Sequence, residues 1–271
     1  MGDELLQVNG ETSSTMTEQT LLTIDRLCVH FGGVKAINDL SCTFPRRAIV
    51  GLIGPNGSGK TTLINTITGM YQPDSGRIVF RGEDIGGLEP HEISRRGIGR
   101  TFQITRLFSR MTVFDNLLIA KKGQRGENLF LGVVNPPAVR TQEVEVRKMA
   151  LDLLEFVGLT HLKNEKAANL SYGQQKLLEI ARILMIDPDV ILLDEPFAGV
   201  NPTNIEKLIK LISELNEDRG ISIILVEHIM KVIMRLAKTI VVLNLGEVIA
   251  TGTPDEIQRN DAAINAYLGR G

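Results

Sequence analysis

Cysteine is scarce: Cys28 and Cys42 are the only two in 271 residues, too few for a disulfide framework. Both fall in strand-like runs, which reads as buried thiols in a reducing compartment. Charge of one sign is lacking too. Thirty Lys and Arg stand against 32 Asp and Glu, a net of −2. That gives no argument for nucleic acid, whose binders carry a basic excess or stripe. No apolar run approaches the roughly 18–20 residues needed to cross a bilayer, and the basic-then-apolar leader of a secreted chain is missing. Residues 1–19, with the run Asn9-Gly10-Glu11-Thr12-Ser13-Ser14-Thr15, read as a disordered polar tail in which Met16 offers an alternative start. Such a chain would act at a membrane from its cytoplasmic face, through a partner. There is no internal repeat and no low-complexity tract. What is present is an ordinary globular balance, 43% hydrophobic and 23% charged, enough for one large α/β domain or two small ones.

The most informative stretch is Gly54-Pro55-Asn56-Gly57-Ser58-Gly59-Lys60-Thr61-Thr62. An apolar run, Ala48 to Ile53, feeds it as a buried strand, and Thr62 to Ile67 leaves it with helical spacing. Strand, glycine loop and helix form the context of a phosphate-binding P-loop, G-x-x-x-x-G-K-[ST]. Glycines let successive N–H groups turn inward, and the helix N-terminus adds partial positive charge. Lys60 is placed to reach the β- and γ-phosphates and the Thr61 hydroxyl to hold Mg²⁺. The chain is expected to bind a nucleoside triphosphate.

Around this motif the pattern alternates. Strands are expected at Leu22–His30, Ser41–Phe44, Ala48–Ile53, Ile78–Phe80, Val190–Leu193 and Ile221–Val226, with a hairpin of Ile240–Leu243 and Glu247–Thr251 around Asn244-Leu245-Gly246. Helices are expected at Pro90–Arg96, Gln174–Met185, Pro202–Asp218 and Ile229–Ala237. Another, apolar at Val146, Met149, Ala150, Leu153, Leu154 and Val157, stops at Gly158. Gly123–Gln142 reads as a long surface connection. Strands on both sides of a helical middle predict an α/β fold. It has a mainly parallel P-loop core, an N-terminal antiparallel β subdomain and an inserted helical subdomain at about 104–185, all within residues 20–271.

Two further groups carry chemistry. Val190 to Leu193 ends in Asp194-Glu195-Pro196, a carboxylate pair at the end of an apolar strand. Asp194 at the strand's end is suited to hold Mg²⁺ through water near Thr61, and Glu195 to orient and deprotonate an attacking water. Without a P-loop the pair would read equally well as an acidic helix start before Pro196. Leu170-Ser171-Tyr172-Gly173-Gln174-Gln175 opens a helix through an S-x-x-Q capping box of Ser171 and Gln174. Gly173 suggests in addition that an anion approaches the backbone there.

The P-loop, Leu170–Gln175, the carboxylate pair and His228 occur in the order found in ABC-type ATPases, and the chain resembles that family over about residues 20–270. The resemblance implies ATP and Mg²⁺ as ligands. It makes Ser171, Gly173 and Gln174 a signature that closes over the γ-phosphate of a second ATP-binding subunit. It makes Gln103 the glutamine that senses Mg²⁺ and the lytic water, and His228 the histidine on the γ-phosphate, catalytic beside Glu195. It makes Phe31 the aromatic stacked on adenine, and Ala198-Gly199-Val200-Asn201-Pro202 the segment that crosses the dimer interface. Taken alone, Gln103 would read as surface, His228 as a strand cap and Phe31 as core.

More narrowly, Gly97-Ile98-Gly99-Arg100-Thr101-Phe102-Gln103, Asp194–Pro202 and Ala266-Tyr267-Leu268-Gly269 look like ATP-binding subunits of branched-chain amino acid importers. Urea and short-chain amide importers share much of the pattern. Ile229 departs from it, standing where that subfamily usually has an acidic residue. The expected assembly is a head-to-tail homo- or heterodimer of ATPases on two transmembrane permease subunits, served indirectly by a solute-binding protein. It would sit on the cytoplasmic face of the inner membrane. Leu107, Phe108, Met111 and Val113, within Ile104 to Asn116, are candidates for the permease groove or for helical core. A soluble ABC ATPase of repair or translation type fits less well, because the gap from Thr62 to Leu170 is too short for a coiled coil and there is one cassette. A P-loop kinase or GTPase leaves Leu170–Gln175 and His228 without work.

Overall fold

The run Val190-Ile191-Leu192-Leu193 has no polar face, so a strand built from it must be covered on both sides. A computed structural model of the chain, which describes residues 20–101, 107–121 and 137–268, places it inside such a sheet, one strand in from an edge. The strands are β1 (Thr20–Phe31), β2 (Val34–Pro45), β3 (Ile49–Ile53), β4 (Ser75–Phe80), β5 (Glu83–Asp84), β6 (Ile98–Arg100), β7 (Val190–Asp194), β8 (Ser222–Val226), β9 (Thr239–Asn244) and β10 (Glu247–Gly252). Six of them form one sheet in the order β10-β9-β3-β8-β7-β6, parallel except for the β9–β10 hairpin. The other four form an antiparallel sheet, β2-β1-β4-β5.

The period-2 alternation of each parallel strand divides its side chains between two cores. Val190, Leu192, Ile224, Val226, Val241 and Leu243 join the core that packs against the antiparallel sheet and α1 (Lys60–Ile67). Ile191, Leu193, Ile223, Leu225, Ile240 and Val242 join the core under the remaining helices. Each such side chain contributes about 1.5–3 kcal/mol by leaving water.

Helices α2 (Pro90–Arg95), α3 (Val113–Leu118), α4 (Pro137–Phe156), α5 (Tyr172–Leu184), α6 (Pro202–Glu217), α7 (Met230–Leu236), α8 (Pro254–Gln258) and α9 (Asp261–Leu268) complete the described chain. α3, α4 and α5 lie in sequence between β6 and β7. Among the described residues no helix is long and apolar enough to cross a membrane.

Two expectations need correction, one strand is added and one alternative reading falls away. α4 begins at Pro137, so Pro137–Gln142 is helix rather than connection, proline being well suited to a first turn where its missing N–H costs nothing. β6 is a strand that the sequence pattern did not announce. Asp194-Glu195 starts no helix; β7 ends and a turn follows. Cys28 and Cys42 lie in strands of the antiparallel sheet but are half-buried, although burial still pushes the Cys42 thiol up to about 12.

Candidate functional site

The loop from Gly54 to Gly59 joins β3 to α1, and the local contacts explain its glycines. A Cβ on Gly54 would lie 2.2 Å from the Leu243 carbonyl oxygen. Gly59 caps α1 with φ at 102°, a left-handed conformation that disfavours any side chain, and no side chain caps the helix. The first-turn N–H groups of α1 are therefore uncapped, and no acidic residue occupies that turn. This is the electrostatics of an anion site. Pro55 is half-buried, Asn56 and Gly57 are exposed, Ser58 is buried, and Thr61 and Thr62 lie at the accessible start of the helix.

Lys60 is only 6% exposed. Its ammonium donates to the carbonyl oxygens of Gly54 at 2.8 Å and Pro55 at 2.9 Å and to Ser58 Oγ at 3.4 Å. Burial lowers its pKa, while the nearby carboxylates of Glu195 and Asp194 oppose that shift. A cation held inside a ring of loop carbonyls, with two acids within electrostatic range, can exchange those neutral acceptors for phosphate oxygens.

Asp194 ends β7, buried at 4% exposure. Burial raises its pKa, and Arg100 pulls it down. Arg100, which the sequence presents only within a longer motif, ties this carboxylate to α1. One of its nitrogens donates to Asn65 Oδ1 and Thr68 Oγ1 at 2.5 and 3.1 Å, and the other lies 3.3 Å from Asp194 Oδ2. The Asp194 N–H donates to Thr101 Oγ1 at 3.1 Å. Among the described residues no cluster of three His, Cys, Asp or Glu is placed to hold a metal. The donors present, one hydroxyl and one carboxylate beside an anion site, fit a hard cation that keeps waters and phosphate oxygens among its ligands.

Parallel pairing sets Asp194 opposite Val226, so the residues after them emerge side by side. Glu195 donates its N–H to the Val226 carbonyl at 2.9 Å and takes φ at 50°, a left-handed conformation that costs about 1–2 kcal/mol for a residue with a Cβ. His228 Nε2 lies 2.9 Å from Glu195 Oε1. The structure thus brings together an acid and an imidazole that stand 33 residues apart in the chain.

Ser171 and Gln174 form the expected capping box. Gln174 N–H donates to Ser171 Oγ at 3.4 Å, and Ser171 N–H donates to Gln174 Oε1 at 2.8 Å. For Gly173 the structure adds a reason inside the chain: a Cβ there would come within 2.8 Å of the Asn204 side-chain amide. Phe31 is 47% exposed and meets Tyr71 edge to face, with ring centroids 5.0 Å apart, so it is a surface aromatic rather than core. Gln103 lies outside the described residues. Of the four groove candidates, Val113 is fully buried core, Leu107 packs against that core, Met111 is half-buried and Phe108 stays exposed. Buried Asn116 holds the Phe108 backbone at both its N–H and its carbonyl, and the Arg182 guanidinium lies 5.2 Å from the Phe108 ring centroid.

The other loops around the P-loop were not legible as contacts in the sequence. Gly246, in the β9–β10 turn, donates its N–H to the Ser58 carbonyl at 3.1 Å and accepts from the Asn38 N–H at 3.0 Å. Tyr267, on α9, uses its hydroxyl to accept the Gly54 N–H at 2.8 Å. Tyr267→Phe removes that acceptor from a buried amide. Because water can reach the half-exposed ring, a loss of about 1 kcal/mol is expected, lowering Tm by about 2–4 °C. Thermal unfolding of the two proteins checks this, and an unchanged Tm would show that the bond contributes nothing.

Residues 37–198 match the ABC transporter family, and residues 247–271 match the family described as branched-chain amino acid ATP-binding cassette transporter. The chain is 45% identical over 251 residues to the high-affinity branched-chain amino acid transport ATP-binding protein LivG of Salmonella typhimurium, an alignment that covers 93% of this chain and 98% of that protein. It is 43% identical over 249 residues to the corresponding protein BraF of Pseudomonas aeruginosa, covering 92% and 98%. Among solved structures it resembles the ADP conformation of the ATP-binding cassette MJ1267, with a TM-score of 0.79, 34% identity and coverage of 92% and 99%. It also resembles the dimeric cassette MJ0796, with a TM-score of 0.70, 27% identity and coverage of 86% and 99%.

Proposed function

Since the chain belongs to the ABC transporter family, we propose that it is the ATP-binding and hydrolysing subunit that energises an importer of branched-chain amino acids. The observation that carries the ATPase reading is the meeting of three elements at one end of the parallel sheet. These are the P-loop with its buried Lys60, the buried Asp194, and the Glu195–His228 pair. The match of residues 247–271 and the named relatives support the solute class.

Each residue has work in this reading. Lys60 and the uncapped N–H groups of α1 bind and orient the phosphates. Thr61 and Asp194, with Gln103, would hold Mg²⁺, which supplies neutralisation of phosphate charge when bound. Glu195 takes the proton from an attacking water, and His228 holds Glu195 in place and faces the γ-phosphate. Phe31, with Tyr71 against its edge, offers an aromatic face to the adenine. Ser171, Gly173 and Gln174, ordered by their own capping box, serve the ATP of a second ATP-binding subunit. A site divided between two subunits makes hydrolysis depend on their closure, and ATP favours closure only through its greater affinity for the closed dimer. We place the dimer on two transmembrane permease subunits at the cytoplasmic face of the membrane. The exposed Phe108, its backbone fixed by Asn116, is the first candidate contact. The region between β6 and β7 serves as the inserted helical subdomain.

The test is recovery of partners. Tagged Glu195→Gln protein purified from gently solubilised membranes with ATP is expected to bring two polytopic membrane proteins and a sibling ATPase. Recovery of soluble ribosomal, repair or assembly factors in their place would overturn the transport reading.

A further inference from the structure

Glu227 stands between β8 and His228 and is 2% exposed. Its carboxylate reaches in two directions. Oε1 accepts the N–H of Phe197, two residues beyond Glu195, at 2.9 Å. Oε2 accepts the N–H of His228 at 2.9 Å and of Ile229 at 3.3 Å. One buried side chain therefore satisfies donors from both turns whose side chains meet in the Glu195–His228 contact.

A carboxylate in this position is costly for stability alone. Burial pushes its pKa up, the three N–H groups draw it back down, and the neighbouring Glu195 pushes it up again. An apolar residue would avoid that cost but leave amides of both turns without an acceptor. By accepting from both turns at once, the single carboxylate also fixes their separation. Glu195 is already in a left-handed conformation, which persists only where its surroundings over-determine it.

We propose that Glu227 is a positioning residue for hydrolysis: a brace between the Glu195–Phe197 turn and the His228–Ile229 turn that keeps the imidazole within hydrogen-bond reach of Glu195. The brace rests on the reading of Glu195 as the base. It also accounts for Ile229, which serves through its N–H while its side chain lies at the surface.

Glu227→Gln keeps the shape but turns an NH₂ donor toward amide donors. Measured on the full-length chain in its purified membrane complex, kcat is expected to fall about 10–100-fold, the scale of a displaced reacting group, with KM within about threefold. In a His228→Ala background the same change should cost less than about threefold, because the brace then has no imidazole to place. Unchanged kcat, a loss confined to KM, or the same fold loss in both backgrounds would overturn the proposal. If Glu227→Gln does not fold, Glu227→Asp, which withdraws the carboxylate by one methylene, is read in the same way. Glu195→Gln measured alongside separates the two readings. Near-normal turnover there removes the base itself, whereas its loss there with wild-type turnover in the Glu227 variants removes only the brace.

Discussion

Replacing Glu195 by Gln is expected to leave ATP bound and to slow its hydrolysis by about 10²-fold or more. Glutamine can still hydrogen-bond His228, so the 2.9 Å contact and the turn that carries it need not move. What it cannot do is accept a proton from water. The buried cation at Lys60 and the carboxylate at Asp194 stay in place, so affinity should change little. Calorimetric ATP binding together with phosphate release from the assembled complex gives both numbers. Near-normal turnover would sink the assignment of Glu195 as the base.

The second large effect is expected at the other end of the reaction coordinate. Lys60→Ala removes the one cation between Gly54 and Thr62, along with the ammonium that donates to two loop carbonyls and the Ser58 hydroxyl. Charge-assisted hydrogen bonds of this kind are worth about 1.5–3 kcal/mol each, so two of them to phosphate correspond to roughly 10²-fold or more in affinity. Calorimetry is again the measurement. Here the binding isotherm should flatten, and an unchanged affinity would contradict the role given to the P-loop.

The parts that were legible in the sequence are those whose causes are local. The P-loop depends on glycine, lysine and threonine at fixed spacing. The Ser171–Gln174 box depends on two side chains three residues apart, and both of its bonds are present. Buried strands such as Val190–Asp194 are apolar on both faces because both faces are covered. The missed parts depend on the assembled fold. β6 is three residues long, too short to show a period, and exists because β7 offers it an edge. Proline and glycine around Pro137 looked like a connection, although proline suits a first helical turn. No local pattern singles out Glu227 or Arg100, which gain their partners only when the strands set them against the neighbouring turn and helix. Tyr267 meets Gly54 across 213 residues, a distance that no local pattern spans.

The β9–β10 turn has a practical consequence for anyone labelling this protein. Leu245 is 78% exposed, and its surroundings look like a convenient place for a dye, an affinity tag or an inserted reporter. Its neighbour Gly246, however, is bonded to Ser58 on one side and Asn38 on the other. A reporter spliced there would pull on the loop that grips the triphosphate, and its signal would mix the perturbation with the event it was meant to follow.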